Sequence, residues 1–511
     1  MEKPVSQIIR ALPVLEVKGP EKCRIRSLVY DSRKAEPDSL FFALPGLHAD
    51  GTVFIPQAIR KGARAVVHRT PLEHYEPGIC YLRVEDPRFA MSAAAAAFYD
   101  QPSAKLAVIG VTGTEGKSST VSFIFQLLRL CGKKAGFIST VDFCVREEVL
   151  PNPEHQTTPE AVEIHKRLAE MAANGLEYAV IEASSHGLSA RTNRLGDVLF
   201  DAGVMTNVTH EHLEFHGTHE QYKSDKANLF RALDKHSHKK RGVEIPSFGV
   251  VNEDDPAAGY FHNATARPVF GCSCWAAVPR GGLSASDITE TAEGISFRIS
   301  NSAGDVFPVR LPLQGAFNAG NILEALTVVS HITETPVQAL IPHLPALKPV
   351  KGRMTEIVRG QPFEVIVDYA HTPSSFQTIF PPLRGRVRGK ILCVFGSGGE
   401  RDTMKRPEQG RIAGDYSDIV ILTDEDPRGE NPEAILEDIA AGCSGKVRGE
   451  TLFLIPDRPQ AIRKAFSLAQ SGDLVLLLGK GHENSIIYKD RTMPYDEITE
   501  AENALKEAGY A

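Results

Sequence analysis

Short apolar runs recur along the whole chain, and what separates them is either helix-periodic or rich in glycine, proline, asparagine and aspartate. Over residues 1–104 the β-like runs SLVYDS, SLFFALPG, ARAVVH and CYLRVED alternate with helical segments such as MSAAAAAFYD. This predicts a small N-terminal α/β domain ending at Gln101-Pro102-Ser103. The pattern restarts at KLAVIGVTGTEGKSSTVSFIFQLLRLCG as apolar strand, glycine-rich turn and amphipathic helix. YAVIEAS, AGVMTNV and SFGVVNE follow, runs apolar on both faces, as in a parallel sheet covered by helices. The expectation for 105–345 is a central P-loop-type ATPase domain with a mainly parallel sheet. Composition turns proline-rich at Leu347-Lys348-Pro349-Val350. FEVIVDYAH, KILCVFGS, DIVILTDED and DLVLLLGKG then predict a C-terminal Rossmann-like α/β domain over 346–511. The fold class is therefore α/β in three domains, without internal repeats or heptads.

Composition narrows the class of protein but not its chemistry. The 511 residues are 42% hydrophobic and 24% charged, as in ordinary globular proteins. A net charge of −7 favours neither nucleic acid nor an anionic membrane as partner. The opening MEKPVSQIIRALPVLEVKGPEK has no long apolar stretch, and no later run approaches ~20 apolar residues, so the expectation is a cytoplasmic protein. Of eight cysteines only Cys272 and Cys274 in GCSCW are close. A structural zinc site wants two such pairs, so reduced thiols are expected.

Two stretches carry candidate chemistry. Gly113-Thr114-Glu115-Gly116-Lys117-Ser118-Ser119 follows a strand and opens a helix, so its N–H groups can cradle phosphate, with Lys117 on the β/γ oxygens and Ser118 on magnesium. Val111 stands where the strict pattern has its first glycine. The second stretch, THEHLEFHGTHEQYKSDKANLF (209–230), crowds His210, His212, His216 and His219 among Glu211, Glu214, Glu220 and Asp225. It contains no HExxH, which argues against a zinc protease, and a solvated polar helix is the bland alternative. The strand Gly203-Val204-Met205-Thr206-Asn207 delivers these histidines at its C-terminal end, where open α/β sheets gather ligands, and Glu182 ends another such strand.

The segments GVTGTEGKSS, EASSHGL, TNVTHEHLEFHG with YKSDKANLF, LQGAFNAGN, VDYAHTP, GSGGERDTMKRP, DEDPRGENP and GKGHE, in this order over nearly the whole chain, resemble the Mur ligase family, most of all its E type. The resemblance implies an ATP-dependent ligase in peptidoglycan precursor synthesis. It would add lysine, ornithine or meso-diaminopimelate to UDP-N-acetylmuramoyl-L-Ala-D-Glu through an acyl phosphate, with ATP and Mg2+, as a monomer. By the same matching, Lys226 would be carbamylated, because a lysine ammonium offers magnesium no oxygen whereas a carbamate does. Glu182 and His212 would be further magnesium contacts, and His210, His216 and His219 positional or surface residues. Glu211 and Glu214 stand where the family usually has aspartates.

Further implied contacts spread over all three domains. The UDP-sugar peptide would meet Tyr30, Asp31, Ser32, His48, Thr157, Thr158, Ser184 and either Arg191 or Arg194, the spacing from Asn207 favouring Arg194. Adenine and ribose would meet Asn318, Asn321, Arg353 and Asp368, while Lys405 would reach the phosphates on closure. Arg401, Asp426, Arg428, Gly479 and Glu483 would surround the amino acid. The family's diaminopimelate enzymes show Asp-Asn-Pro-Arg where this chain has Glu425-Asp426-Pro427-Arg428. A carboxylate at 426 would tilt the choice toward lysine or ornithine, and Arg428 would pull the other way. Two alternatives stand beside this reading: a folylpolyglutamate-synthase-like ligase, which lacks a VYDSR-type first domain, and a non-catalytic nucleotide-binding regulator.

Overall fold

The computed structural model describes residues 1–46, 50–153, 156–209, 213–277 and 281–510. Three large sheets carry the chain, at 14–84, 107–311 and 355–478. The first has five strands. Val14–Lys18 runs antiparallel to Cys80–Val84, after which Ala65–His68, Ser39–Phe42 and Ser27–Val29 follow in parallel. The alanine-rich segment forms the helix Pro87–Phe98: Asp86 accepts from the N–H groups of Arg88 and Phe89, and Pro87 stands where a helix has no N–H partner to lose. Its Ala90, Ala94 and Ala95 share a core with Leu40, Phe42, Val67 and Leu82 of the sheet.

Eleven strands form the central sheet. From Ala135–Ile138 it runs through Tyr178–Glu182, Ala107–Thr112, Ala202–Met205, Phe248–Asn252 and Val269–Ser273 to Leu283–Thr291, every neighbour parallel. Both faces are buried, which is why these strands read as unbroken apolar runs: Val108 faces one core and Ile109 the other. The far edge is an antiparallel meander of Leu283–Thr291, Gly294–Asn301 and Val306–Leu311. The sequence reading passed over it, although alternations such as Ile295, Phe297 and Ile299, all buried, are a strand signal. The helix Asn318–Thr333 packs across the helix Lys117–Leu130 on this sheet.

The third sheet orders Thr355–Glu356, Glu364–Asp368, Leu474–Leu478, Ile391–Phe395, Ile419–Leu422 and Leu452–Leu454, parallel after its first pair. The C-terminal ends of the central strands open toward this third unit, and a cleft of about 930 Å³ lies between them. No helix among the described residues is long and apolar enough to cross a membrane.

Candidate active site

The glycine-rich turn sits at one end of the cleft because its strand, Ala107–Thr112, is central in the sheet. Val111 is a fully buried strand residue paired with both Glu182 and Val204, so the turn begins only at Gly113. At Gly113 φ is 155° and an added Cβ would lie 1.8 Å from Thr206 Oγ1; at Gly116 φ is 81°. Asn207 clamps the turn from the neighbouring strand, its Oδ1 accepting from the N–H of Thr114 (3.1 Å) and of Glu115 (2.8 Å). Thr206 Oγ1 donates to Glu115 O. Lys117 Nζ lies over the turn and donates to Thr114 O (2.6 Å). Ser119 lines the cleft on the first turn of the helix Lys117–Leu130, whose N–H groups point toward the loop.

A hard-oxygen pair lies beside it. Ser118 Oγ donates to the Glu182 carboxylate, 3.1 and 3.0 Å from its two oxygens, and Thr140 N–H donates to the same group at 2.8 Å. Below them Lys226, 1% exposed, donates from Nζ to Gly113 O (2.5 Å) and lies 4.3 Å over the Tyr222 ring. Hydroxyl and carboxylate suit magnesium; the lysine joins such a set only after CO2 adds to its amine. His216 is held away from this role, with Nδ1 2.7 Å from Asp225 and Nε2 3.0 Å from Ser185 Oγ. His219 starts the helix His219–Ala232 and leans toward Tyr222. His48, His210, Glu211 and His212 lie outside the described residues.

Next to Glu182, Thr157 lines the cleft and Thr158 Oγ1 joins Glu182 O to Ser184 N. Arg194 donates to Thr158 O (2.8 Å) and to Glu160 (3.0 Å), which Arg88 of the first domain also meets; Arg194 Nε is buried without a partner. Arg191 is turned elsewhere, bonded to Phe215 O and stacked over the Phe215 ring. In the first domain Ser32 Oγ donates to Gln57 (2.7 Å) and Asp31 caps Ser32–Lys34, while Tyr30 is partly buried against the apolar core.

The third domain reaches the glycine-rich turn through Arg353, whose Nη2 is 3.5 Å from Ser118 Oγ and whose guanidinium lies over Tyr369. Asp368, pushed up by burial, accepts from Met354 N and Ala370 N, both at 2.7 Å, and so shapes the Arg353 turn. Asn318 and Asn321 are joined side chain to side chain at 2.9 Å. Lys405 donates to His371 O (3.0 Å), and His371 rather than Lys405 forms the cleft wall; Arg401 is exposed.

Around the expected amino-acid contacts the structure corrects the charge argument. Lys480, fully buried, donates to Asp426 Oδ1 (2.9 Å) and Glu483 Oε2 (2.5 Å), and Arg428 stands 3.7 Å from Asp426 Oδ2. Burial pulls the Lys480 ammonium down, but Glu483 and Asp426 outweigh it and hold it above the ordinary lysine range. Asp426 is therefore not a lone carboxylate: it is paired with Lys480 and faces Arg428, while the Glu425 carboxylate borders Gly479 of the same group. Gly479 N donates to Asp368 O (3.1 Å), joining this group to the strand end that shapes the Arg353 turn. Lys480 was legible in GKGHE but not singled out. Asn207, Glu324 and Trp275 also line the cleft without having been named as contacts.

Comparison with known proteins gives three family matches: the Mur ligase middle domain at 111–329, the Mur ligase glutamate ligase domain at 352–481, and the Mur ligase family catalytic domain at 24–99. The UDP-N-acetylmuramyl-tripeptide synthetase of Treponema denticola is 55% identical over 98% of this chain and 98% of its own length. The UDP-N-acetylmuramoyl-L-alanyl-D-glutamate--2,6-diaminopimelate ligase of Geobacillus kaustophilus is 37% identical over 95% and 96%. A solved structure of a ligase of that second name superposes over 100% of both chains with a TM-score of 0.65 at 29% identity.

Proposed function

Because this chain belongs to the Mur ligase family and is an ATP-dependent amide-bond-forming ligase, we propose that it extends UDP-N-acetylmuramoyl-L-Ala-D-Glu by one diamino acid. The observation that carries the reading is the meeting at Ser118: phosphate turn, Glu182 and Arg353 converge there from two domains. ATP lies with its phosphates on Gly113–Ser119, and Lys117 turns from Thr114 O to the β/γ oxygens. The peptide's terminal carboxylate, anchored by Thr158, Ser184 and Arg194, attacks the γ-phosphorus; its oxygen joins phosphorus as the bond to ADP breaks. The incoming amine, as its free base, then attacks the acyl carbon; the C–O bond to phosphate breaks and the nitrogen gives up one proton, which leaves with the phosphate as the amide forms. Positioning and charge stabilisation carry both steps.

Ser118, Glu182 and a carbamylated Lys226 are the groups that would hold Mg2+, with His212 as an additional contact. When bound, the ion shields the charge of the phosphates against the attacking carboxylate. The diamino acid sits between Arg401, Arg428 and the Asp426–Lys480–Glu483 group. Arg428 and Arg401 favour a side chain ending in a carboxylate, and Lys480 holds Asp426 against competing with it, so meso-diaminopimelate is the substrate we favour.

The test is phosphate release from ATP with each candidate acceptor, product mass being read directly. Release that needs both the UDP-linked dipeptide and a diamino acid supports the reading. Release driven by a folate acceptor would restore the alternative ligase, and no release with any acceptor would restore the regulator.

A further inference from the structure

Two cysteines that lie far apart in the sequence meet in the first domain. Val14–Lys18 runs antiparallel to Cys80–Val84, with Lys18 opposite Tyr81. At Gly19, where φ is 91°, the chain turns so closely against this strand that an added Cβ would stand 2.0 Å from Ile79 O. Cys23 N then donates to Pro20 O (3.4 Å), which brings Cys23 back to the start of Cys80–Val84. A shared acceptor fixes the approach: Cys80 N donates to Arg64 O at 3.0 Å, and Cys23 Sγ lies 3.8 Å from the same oxygen. Cys80 is fully buried in the core of this domain, whereas Cys23 packs on that core and is only half-buried.

All eight cysteines are free thiols, and seven are raised above the ordinary thiol range. For six of these the chief cause is burial, which disfavours a thiolate. Cys80 is raised chiefly by Cys23, with burial adding to it. Cys23 alone is lowered: the Cys80 thiol donates a hydrogen bond to its sulfur and outweighs burial, and Arg64 pulls the same way against Asp38. The pair therefore has an exposed member suited to attack and a buried member already touching it. Residues 19–23 lie outside helix and strand, so the shift from a thiol–thiol contact to an S–S bond of ~2.05 Å falls on a turn and spares the sheet.

We propose that Cys23 and Cys80 are a reversible dithiol–disulfide pair, in which Cys23 exchanges with low-molecular-weight disulfides and Cys80 resolves the adduct, so that oxidation ties the 19–23 turn to the first sheet. The Cys23 thiolate attacks one sulfur of the small disulfide, whose S–S bond breaks as one small thiolate leaves. Cys80 gives that thiolate its proton and attacks the Cys23 sulfur. The second small thiolate is displaced and takes up the proton that Cys23 had released. Two protein thiols become one disulfide, one small disulfide becomes two thiols, and an excess of a reducing dithiol runs the exchange backward.

The test incubates the reduced, folded full chain with oxidised glutathione and follows free thiols and peptide masses over time. A glutathione adduct on Cys23 is expected first, converting to a Cys23–Cys80 link with the loss of two thiols from eight, all regained with dithiothreitol. Cys131 and Cys274, the other half-buried thiols, should react at least roughly tenfold more slowly. Cys80→Ser should stop at the adduct on Cys23, and Cys23→Ser should slow the first loss of thiol by roughly tenfold or more. A first adduct on any other cysteine, a Cys23 adduct that never converts to the link, no loss of thiol at all, or a link that forms only in urea overturns the proposal. If a serine variant fails to fold, the order of adduct and link in the wild type decides alone.

Discussion

Replacing Glu324 by glutamine should stabilise the protein, by an amount that grows with pH. The carboxyl is pushed from 4.5 up to about 8, because burial removes water and Thr120 gives back only one hydrogen bond. The folded state therefore holds its proton more tightly than the unfolded chain. For such an acid, stability is undiminished below pH 4.5 and falls as pH rises toward 8. At pH 7 the unfolded chain has released the proton and the folded one has not, a gap of about 2.5 pH units, or roughly 3 kcal/mol at 1.36 kcal/mol per unit. At pH 5 the same arithmetic leaves under ~1 kcal/mol. Glutamine has no proton to lose and keeps the carbonyl that Thr120 bonds, so Glu324→Gln escapes this loss. Burial raises the neighbouring thiols, Cys274 to about 12 and Cys272 higher still, so neither titrates in this window. Calorimetry of both proteins from pH 5 to 8 is the assay. The central-domain transition should rise in the variant by roughly 6–12 °C at pH 7 and by far less at pH 5. A Tm difference that does not change with pH, or has the opposite sign, would refute the reasoning.

Lys226→Ala should abolish most turnover while ATP-analogue binding at Lys117 survives, and short carboxylates should restore part of the rate; near-normal turnover would remove Lys226 from the metal site. Lys480→Met leaves Glu483 without its cation and Asp426 with only Arg428 at 3.7 Å, which should lower the third domain's stability by about 3 kcal/mol in urea denaturation. Adding Asp426→Asn should recover part of that loss, and strictly additive effects would mean the three groups do not act together. Asp426→Asn alone removes one negative charge from the site, so its kcat/KM ratio should move toward diaminopimelate over lysine; no movement would show that the substrate's far end lies elsewhere. Arg194→Ala should raise KM for the UDP-linked dipeptide by roughly tenfold or more and Arg191→Ala by much less, the reverse order reassigning the contact.

Local physics made much of this protein legible in its sequence. A glycine-rich turn ending in Gly116-Lys117-Ser118 between an apolar run and an amphipathic segment announces a strand–turn–helix unit, and strands buried on both faces announce a parallel sheet. The order of the motifs then carried the family. The meander at 283–311 was equally written there, in its period of two, but its strands are half exposed and read as polar.

What tertiary structure alone decided were charge states and partners. In the sequence Asp426 has only Arg428 as a visible neighbour of opposite charge; the fold brings Lys480 to it from 54 residues away, and Asn207 becomes the clamp of a turn 92 and 93 residues earlier. Arg191 and Arg194 are equivalent in the loop SARTNR; only the packing of Phe215 against one and Thr158 against the other separates them. Glu324 reads as an ordinary acid on a helix, and its carboxyl is pushed up to about 8 because it is buried where its helix packs against that of Thr120. A residue's type fixes which protons and lone pairs it has, while burial and contacts made across the chain fix whether they are ionised, paired or left for a ligand.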